Sequence, residues 1–265
     1  MINAAVLGSP ISHSLSPRIH RKAFEILGIP GNYQAFEVTE PAFETFLSTH
    51  KPTEWNGFSL TMPLKEAVFG SISGISEISP SAKNIKSVNT IYRKNENWAA
   101  TSTDLLAFNN LLKLQRSSRV AIIGAGGTAR AALGSLDGRV DSVDVLLRNP
   151  ERKIAMINSA PGIRVEFKDM NAPINGYDVV IQTTPAGAFD SYASALISPS
   201  GLLLEALYQP SPTPLSAKYL SANLPIITGK ELLVEQALYQ IELFTECELD
   251  FDLMRTALLA EIASA

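Results

Sequence analysis

The chain has 265 residues, 46% hydrophobic and 18% charged, with 22 Lys and Arg against 26 Asp and Glu for a formal net charge of −4. That balance excludes a disordered chain and argues against broad binding to nucleic acid. One cysteine, Cys247, cannot form an internal disulfide or a thiolate-rich zinc site, and no apolar run approaches the ~20 residues that span a bilayer. No basic segment precedes the short apolar stretch at the N-terminus, so a cytoplasmic protein acting on small molecules is expected, with no nucleic-acid or membrane partner.

Short apolar runs alternate with longer amphipathic ones along the chain, which predicts an α/β fold of open sheets. Residues 4–8 read as a buried strand, 18–27 as a helix closed by Gly28, and 32–38 as a second strand. Residues 41–48 read as a helix and 57–61 as a third strand ending at Met62-Pro63. A helix over 105–114 leads to a second block. There Val120-Ala121-Ile122-Ile123 runs into Gly124-Ala125-Gly126-Gly127 and an Ala-rich helix over 128–136. Strands follow at 143–147, 179–181, 202–204 and 226–227, then helices over 231–244 and 252–262. Apolar runs without polar alternation fit parallel strands covered on both faces. The expected division is a first domain over 1–104, completed by helices within 236–265, and a second over 105–235.

Gly124-x-Gly126-x-x-Ala129 matches the dinucleotide fingerprint, with Ala at the third position, between an apolar strand and a helix. Gly124 allows the tight turn. Gly126 lets a pyrophosphate approach the backbone, where the N–H groups around Ala125, Gly127 and Thr128 and the helix dipole favour an anion. The plainer alternative is an ordinary strand–turn–helix joint. Folds that bind NAD usually place an acid about 20 residues beyond the first glycine, to hold the ribose 2′-OH. Here Arg148-Asn149 ends the next strand, so a cation stands near the acid's place. Arg148, helped by Arg152 or Arg130, suits a 2′-phosphate and predicts NADP.

In the first block, Ser16 before Pro17 reads on its own as a helix N-cap, Lys65 as a surface lysine and Asp104 as another N-cap. Together the segments resemble the shikimate dehydrogenase family. The H-S-x-S-P loop of that family appears as His13-Ser14-Leu15-Ser16-Pro17, and its G-x-x-x-T-x-P-x-K segment runs from Gly57 through Thr61 to Lys65. Val88-Asn89-Thr90 and Thr103-Asp104 follow, then the glycine loop and Thr184-Pro185-Ala186-Gly187. Tyr208 opens a Y-x-P-x-x-T-P-L segment, and Gly229 a G-x-x-x-L-x-x-Q-A segment holding Gln236. The resemblance implies an N-terminal substrate domain, a Rossmann-type NADP domain and C-terminal helices packing back on the first. It implies Lys65 and Asp104 as the catalytic pair. Ser14, Ser16 and Tyr208 would hold the substrate carboxylate, and Thr61, Asn89 and Gln236 the ring hydroxyls. Thr184, Arg130, Arg152 and Gly229 would join the glycine loop, Arg148 and Asn149 around the cofactor.

The implied reaction is the NADP-dependent reduction of 3-dehydroshikimate to shikimate, in a monomer or homodimer serving aromatic amino acid and chorismate biosynthesis. Adding a hydride to a ketone carbon requires a proton or positive charge at the oxygen, which a lysine ammonium supplies. A broader quinate/shikimate dehydrogenase and a non-catalytic regulator that binds a nucleotide or ring acid are the alternatives. Ser59, Ser87, Ser102, Arg21, Leu147, Gln182, Glu205 and Leu232 depart from the family's common residues, but none removes the expected serines, lysine, aspartate or glutamine. His13, His20 and His50 share no metal-ligand spacing, so no metal is expected. Trp55 and Trp98 read as packing residues.

Overall fold

A computed structural model describes residues 1–70, 74–194 and 198–264. The chain divides into two units: Met1–Leu106 with Leu233–Ala265, and Ala107–Leu232. The first unit opens with β1 (Ile2–Gly8), α1 (Ser16–Ile26), β2 (Gly31–Glu37), a 3₁₀ turn (Glu40–Ala42) leading into α2 (Phe43–Thr49), and β3 (Gly57–Leu60). It continues through α3 (Leu64–Ala67), β4 (Ile75–Ile78), α4 (Pro80–Ile85), β5 (Thr90–Lys94) and β6 (Asn97–Thr101). Helix α5 (Thr103–Leu111) leads out of it.

The sheet of this unit has the order β2-β1-β3-β5-β6-β4. Strands β1, β2 and β3 are parallel, whereas β5 runs antiparallel to both β3 and β6. Alternate residues of β1 fill two separate cores, which is why the strand is apolar throughout. Ala5 and Leu7 join Phe58, Leu60, Ile91 and Trp98, while Ala4 and Val6 join Phe24, Tyr33 and Phe244.

The second unit holds β7 (Val120–Ile123), α6 (Gly127–Leu136), β8 (Ser142–Leu146), α7 (Lys153–Ser159), β9 (Arg164–Lys168), β10 (Val179–Gln182), α8 (Asp190–Ala193), β11 (Leu202–Glu205), α9 (Pro214–Ser221) and β12 (Ile226–Ile227). All six strands are parallel in the order β12-β11-β10-β7-β8-β9. The sequence order reverses beside β7, at the switch point where open α/β sheets bind ligands. Helix α10 (Gly229–Thr245) starts in this unit and ends in the first, where α11 (Phe251–Ile262) packs on α1. Arg18 of α1 and Glu261 of α11 form an ion pair at 3.3 Å. No described helix is long and apolar enough to cross a membrane.

Two local readings are corrected. Ser16 is not the cap of α1: Leu15 is, without a side-chain bond, and Ser16 is the first helical residue. Asp104 lies inside the first turn of α5 instead of before it, and its carboxylate is taken up by side chains described below.

Candidate active site

Lys65 and Asp104 stand 39 residues apart in sequence, yet Lys65 Nζ donates to Asp104 Oδ2 at 2.6 Å. Each is placed by a helix start. Lys65 sits in α3, directly after the Met62-Pro63 turn, and Asp104 in the first turn of α5, where the helix dipole favours a carboxylate. The side chains are 18% and 8% exposed, so the pair is largely shielded and still open on the lysine side.

The second carboxylate oxygen of Asp104 accepts from Asn89 Nδ2 at 2.8 Å. The same nitrogen reaches Gln236 Oε1 at 3.1 Å and Thr103 Oγ1 at 2.9 Å. Asn89 Oδ1 accepts from the Thr103 backbone N–H at 2.7 Å and the Thr90 hydroxyl at 3.0 Å. The amide of Asn89 is thus fully occupied, and a ring hydroxyl arriving there competes with Gln236. Gln236 Nε2 donates to the Leu233 carbonyl at 2.7 Å, which turns its oxygen toward Asn89. Lys65, Asp104, Asn89 and Gln236 therefore form one contiguous cluster.

Ser14 and Thr61 lie on the loops that leave β1 and β3 at their carboxyl ends, the side of a parallel sheet where ligands bind, and Ser16 opens α1 at the end of the first of these loops. The Ser9 N–H donates to the Met62 carbonyl at 3.0 Å, and the Thr61 N–H to the Leu7 carbonyl at 2.9 Å, so the two loops are tied together. Glu37, the last residue of β2, clamps the serine loop by accepting from the Ser9 hydroxyl at 2.7 Å and the Ile11 N–H at 3.3 Å. The Ser14 hydroxyl accepts from the Ser16 N–H at 3.3 Å. His20 is wholly buried, stacked on Tyr33 at 4.0 Å, with Nδ1 2.9 Å from the Ser16 carbonyl. Burial lowers its pKa to about 4, against the opposing pull of that carbonyl, so the ring is neutral at pH 7 and Nδ1–H donates to it. Tyr208, the remaining residue expected at the carboxylate, belongs to the second unit and is half-buried there.

In the second unit Gly124 has φ +112°, and a Cβ there would lie 2.6 Å from Thr183 Oγ1, so the turn after β7 demands glycine. Gly126 caps α6 and is exposed, with open space where a Cβ would point. Ala125, Gly127 and Thr128 flank it at the helix mouth, and Ala129 is buried. This cradle fits a dinucleotide phosphate. Arg148, Asn149 and Arg152 are exposed just past β8, a placement that fits a further phosphate. Asn149 also caps the following 3₁₀ turn (Pro150–Arg152) by accepting from the Glu151 N–H at 2.9 Å. Arg130 of α6 is only 2% exposed, unlike the exposed Arg148 and Arg152. Thr184 is held by Gln182, whose amide nitrogen and oxygen meet its hydroxyl and N–H at 2.9 and 3.0 Å. Gly229 is required for packing, since a Cβ there would collide with the backbone of Leu207 and Tyr208.

Sequence reasoning missed Thr90, Thr103 and Gln240 as neighbours of the cluster. A signal was present for Gln240: it lies one helical turn after Gln236, a second amide on an otherwise apolar face. His20, Trp55 and Trp98 are buried packing residues. Among the described residues, no group of three His, Cys, Asp or Glu gathers in a metal-binding cluster.

One unit carries a dinucleotide loop on an all-parallel sheet, and the other a shielded lysine–aspartate pair at the carboxyl edge of its own sheet. Together they define a two-domain α/β protein with a Rossmann-type half. A family model described as the shikimate dehydrogenase substrate binding domain matches residues 6–91. The shikimate dehydrogenase (NADP(+)) of Exiguobacterium sp. is 31% identical over 251 residues, covering 92% of this chain and 93% of its own. That of Prochlorococcus marinus strain MIT 9515 is 30% identical, covering 96% and 95%. The crystal structure of Mycobacterium tuberculosis shikimate dehydrogenase matches with a TM-score of 0.87 at 32% identity, over 98% of this chain and 100% of that one. Shikimate 5-dehydrogenase from Thermus thermophilus, in complex with NADP(H) and shikimate, matches with a TM-score of 0.84 at 27% identity, over 99% and 100%. The chain belongs to the shikimate dehydrogenase family.

Proposed function

We propose that the protein catalyses the reversible, NADP-dependent reduction of 3-dehydroshikimate to shikimate in the cytoplasm, as a monomer or homodimer. The observation that carries this reading is the 2.6 Å contact between Lys65 and Asp104, two residues expected from separate motifs and delivered to one place. The first unit takes the ring acid and the second the cofactor. Ser14 and Ser16 offer hydroxyls to the substrate carboxylate, and Tyr208 is a further residue that the family pattern assigns to it. Thr61, Asn89 and Gln236 meet the ring hydroxyls.

When bound, the reduced cofactor supplies a hydride to the ketone carbon. The Lys65 ammonium supplies the positive charge and the proton at the carbonyl oxygen, and Asp104 holds that ammonium in place. In the reverse direction the alcohol proton returns to Lys65. Gly124, Gly126 and the N–H groups of the α6 mouth hold the pyrophosphate, and Arg148 with Arg152 holds the 2′-phosphate.

The test is absorbance at the reduced-nicotinamide band with shikimate and with quinate, each with NADP and with NAD. Turnover is expected with shikimate and NADP. Lys65→Ala should cut it by about 10²–10⁴-fold while nucleotide binding persists. Equal kcat/KM for quinate would move the assignment to a broader dehydrogenase. Silence in all four combinations, from folded protein that binds nucleotide, would overturn the reading in favour of a ring-acid-binding regulator.

A further inference from the structure

Four buried polar side chains outside the proposed machinery, Tyr33, Ser59, Gln240 and Thr90, form a hydrogen-bond chain that ends on it. Their exposures are 0, 4, 1 and 0%, so bulk solvent does not reach them. The direction of the chain is set from a group with no choice. The Asn89 backbone carbonyl only accepts, and Gln240 Nε2 lies 3.1 Å from it. The amide oxygen of Gln240 therefore faces Ser59, whose hydroxyl donates to it at 2.7 Å. With its proton spent, Ser59 accepts from the Tyr33 phenol at 2.6 Å.

At the other end, Gln240 Nε2 donates to Thr90 Oγ1 at 2.9 Å, and the Thr90 hydroxyl donates to Asn89 Oδ1 at 3.0 Å, with Thr103 Oγ1 3.2 Å away. The Thr103 N–H points at the same oxygen. Asn89 Oδ1 is then surrounded by donors, the Thr103 hydroxyl lying 3.2 Å away as well, and its Nδ2 must face Asp104. Asp104 is left as an acceptor at both oxygens, for Asn89 on one and Lys65 on the other.

We propose that Gln240 and Thr90 are positioning residues that lock the Asn89 amide and so hold Asp104 as an acceptor aimed at Lys65. The proposal rests on the reading of Lys65 and Asp104 as the working pair. A flipped Asn89 would set oxygen against oxygen at Asp104 and would release the carboxylate from its grip on the ammonium. The Thr90 hydroxyl is a contact of Asn89 that also touches Gln240, and a shape-conserving substitution removes it.

The test compares Thr90→Val, which keeps the shape and loses the hydroxyl, with Thr90→Ser, which keeps the hydroxyl. Gln240→Met and Tyr33→Phe probe the middle and the far end. With shikimate and NADP, Thr90→Val and Gln240→Met should lower kcat about tenfold, the size of one lost buried hydrogen bond, and leave KM for NADP within about twofold. Thr90→Ser should keep kcat within about twofold of the parent, and Tyr33→Phe should fall between. Independently of turnover, hydrogen exchange of the Asn89 side-chain amide, followed by ¹⁵N NMR, should be slow in the parent and in Thr90→Ser. It should be at least about tenfold faster in Thr90→Val and Gln240→Met.

Unchanged kcat and unchanged amide exchange in Thr90→Val would overturn the proposal. So would equal damage from Thr90→Ser and Thr90→Val, which would assign the effect to packing. If either larger substitution fails to fold, Tyr33→Phe decides, since it removes one hydroxyl at the far end and should still raise the exchange rate. If the parent shows no turnover, the functional reading fails on its own, and the amide exchange series still decides the chain.

Discussion

Glu205→Gln should stabilise the second unit at pH 8 and do almost nothing at pH 4. Glu205 ends β11 and is 3% exposed. One oxygen accepts from the Thr213 hydroxyl at 2.6 Å, while Oε1 finds no partner among the described residues. Burial raises its pKa from 4.5 to about 7, with the Thr213 bond pulling down and the negative charge of Asp190 adding to the rise. The unfolded chain releases this proton near 4.5 and the folded chain near 7. In that window the folded state binds more protons, so the contribution is complete below pH 4.5 and is lost as pH rises through 7. At about 1.4 kcal/mol per pH unit, the loss across the window is on the order of 3 kcal/mol. Glutamine keeps the shape and the acceptor for Thr213 and carries no charge to bury. The expected gain is about 2–3 kcal/mol at pH 8, and within about 0.5 kcal/mol of zero at pH 4. Native-state amide exchange of β10 and β11 reads this unit directly, since both tryptophans belong to the other. A gain of the same size at both pH values would refute the reasoning, because it would show that packing and not ionisation sets the difference.

Three further outcomes follow from the same kind of reading. His20 carries the opposite slope in the first unit. Its folded pKa of about 4 lies below the ordinary 6.5, so its contribution is present above 6.5 and is lost as pH falls through 4. Denaturant unfolding followed by Trp55 and Trp98 fluorescence should therefore weaken from pH 7 to pH 4 by about 2–3 kcal/mol more in the parent than in His20→Gln. Ser87→Ala should raise the stability of the first unit by about 1 kcal/mol in the same assay, because Ser87 is wholly buried and its hydroxyl has no partner among the described residues. Arg148→Ala should raise KM for NADP by about 10–100-fold and leave KM for NAD near its parent value, as expected for one lost bond to a charged phosphate. Equal effects on the two cofactors would remove Arg148 from the 2′-phosphate site.

What could be read in the sequence follows the physics of each segment. Strands buried on both faces, such as β1, β7, β10 and β11, are visible as bare apolar runs, and the Gly124 turn as a glycine forced by a positive φ. The β5–β6 hairpin is not visible. Its strands mix Tyr92, Arg93 and Lys94 with apolar residues, and it turns at Asn95 and Glu96, both at positive φ (49° and 62°) with no glycine to mark the turn. The edge strand β9 also escapes notice, since Arg164-Val165-Glu166-Phe167-Lys168 carries the charges that protect a sheet edge. In the site, motif order identified Lys65, Asp104, Asn89 and Gln236 one at a time. Nothing local shows that Asn89 bonds Asp104, or that Gln236 closes on Asn89 from 147 residues away.

The return of α10 to the first unit accounts for that long-range closure. Gly57 on β3 has no room for a Cβ because the Phe244 ring lies against it, so helix and strand meet at close range. Gln236, Gln240 and Phe244 recur at intervals of one or two helical turns and so share the face that meets the sheet. Phe244 fills the core beside Ala4, Val6 and Tyr33, Gln240 spans Ser59 and Thr90, and Gln236 reaches Asn89. A serine at position 59 belongs to the same arrangement. It is small enough to lie between the Tyr33 phenol and the Gln240 amide, and its single hydroxyl both accepts and donates, as a link in a one-way chain requires. An asparagine there would bring two donors and a larger side chain into a position that is 4% exposed and already filled. Serine at 59 and glutamine at 240 are therefore best understood as one choice, made across 181 residues of chain, which places the Asn89 amide on Asp104.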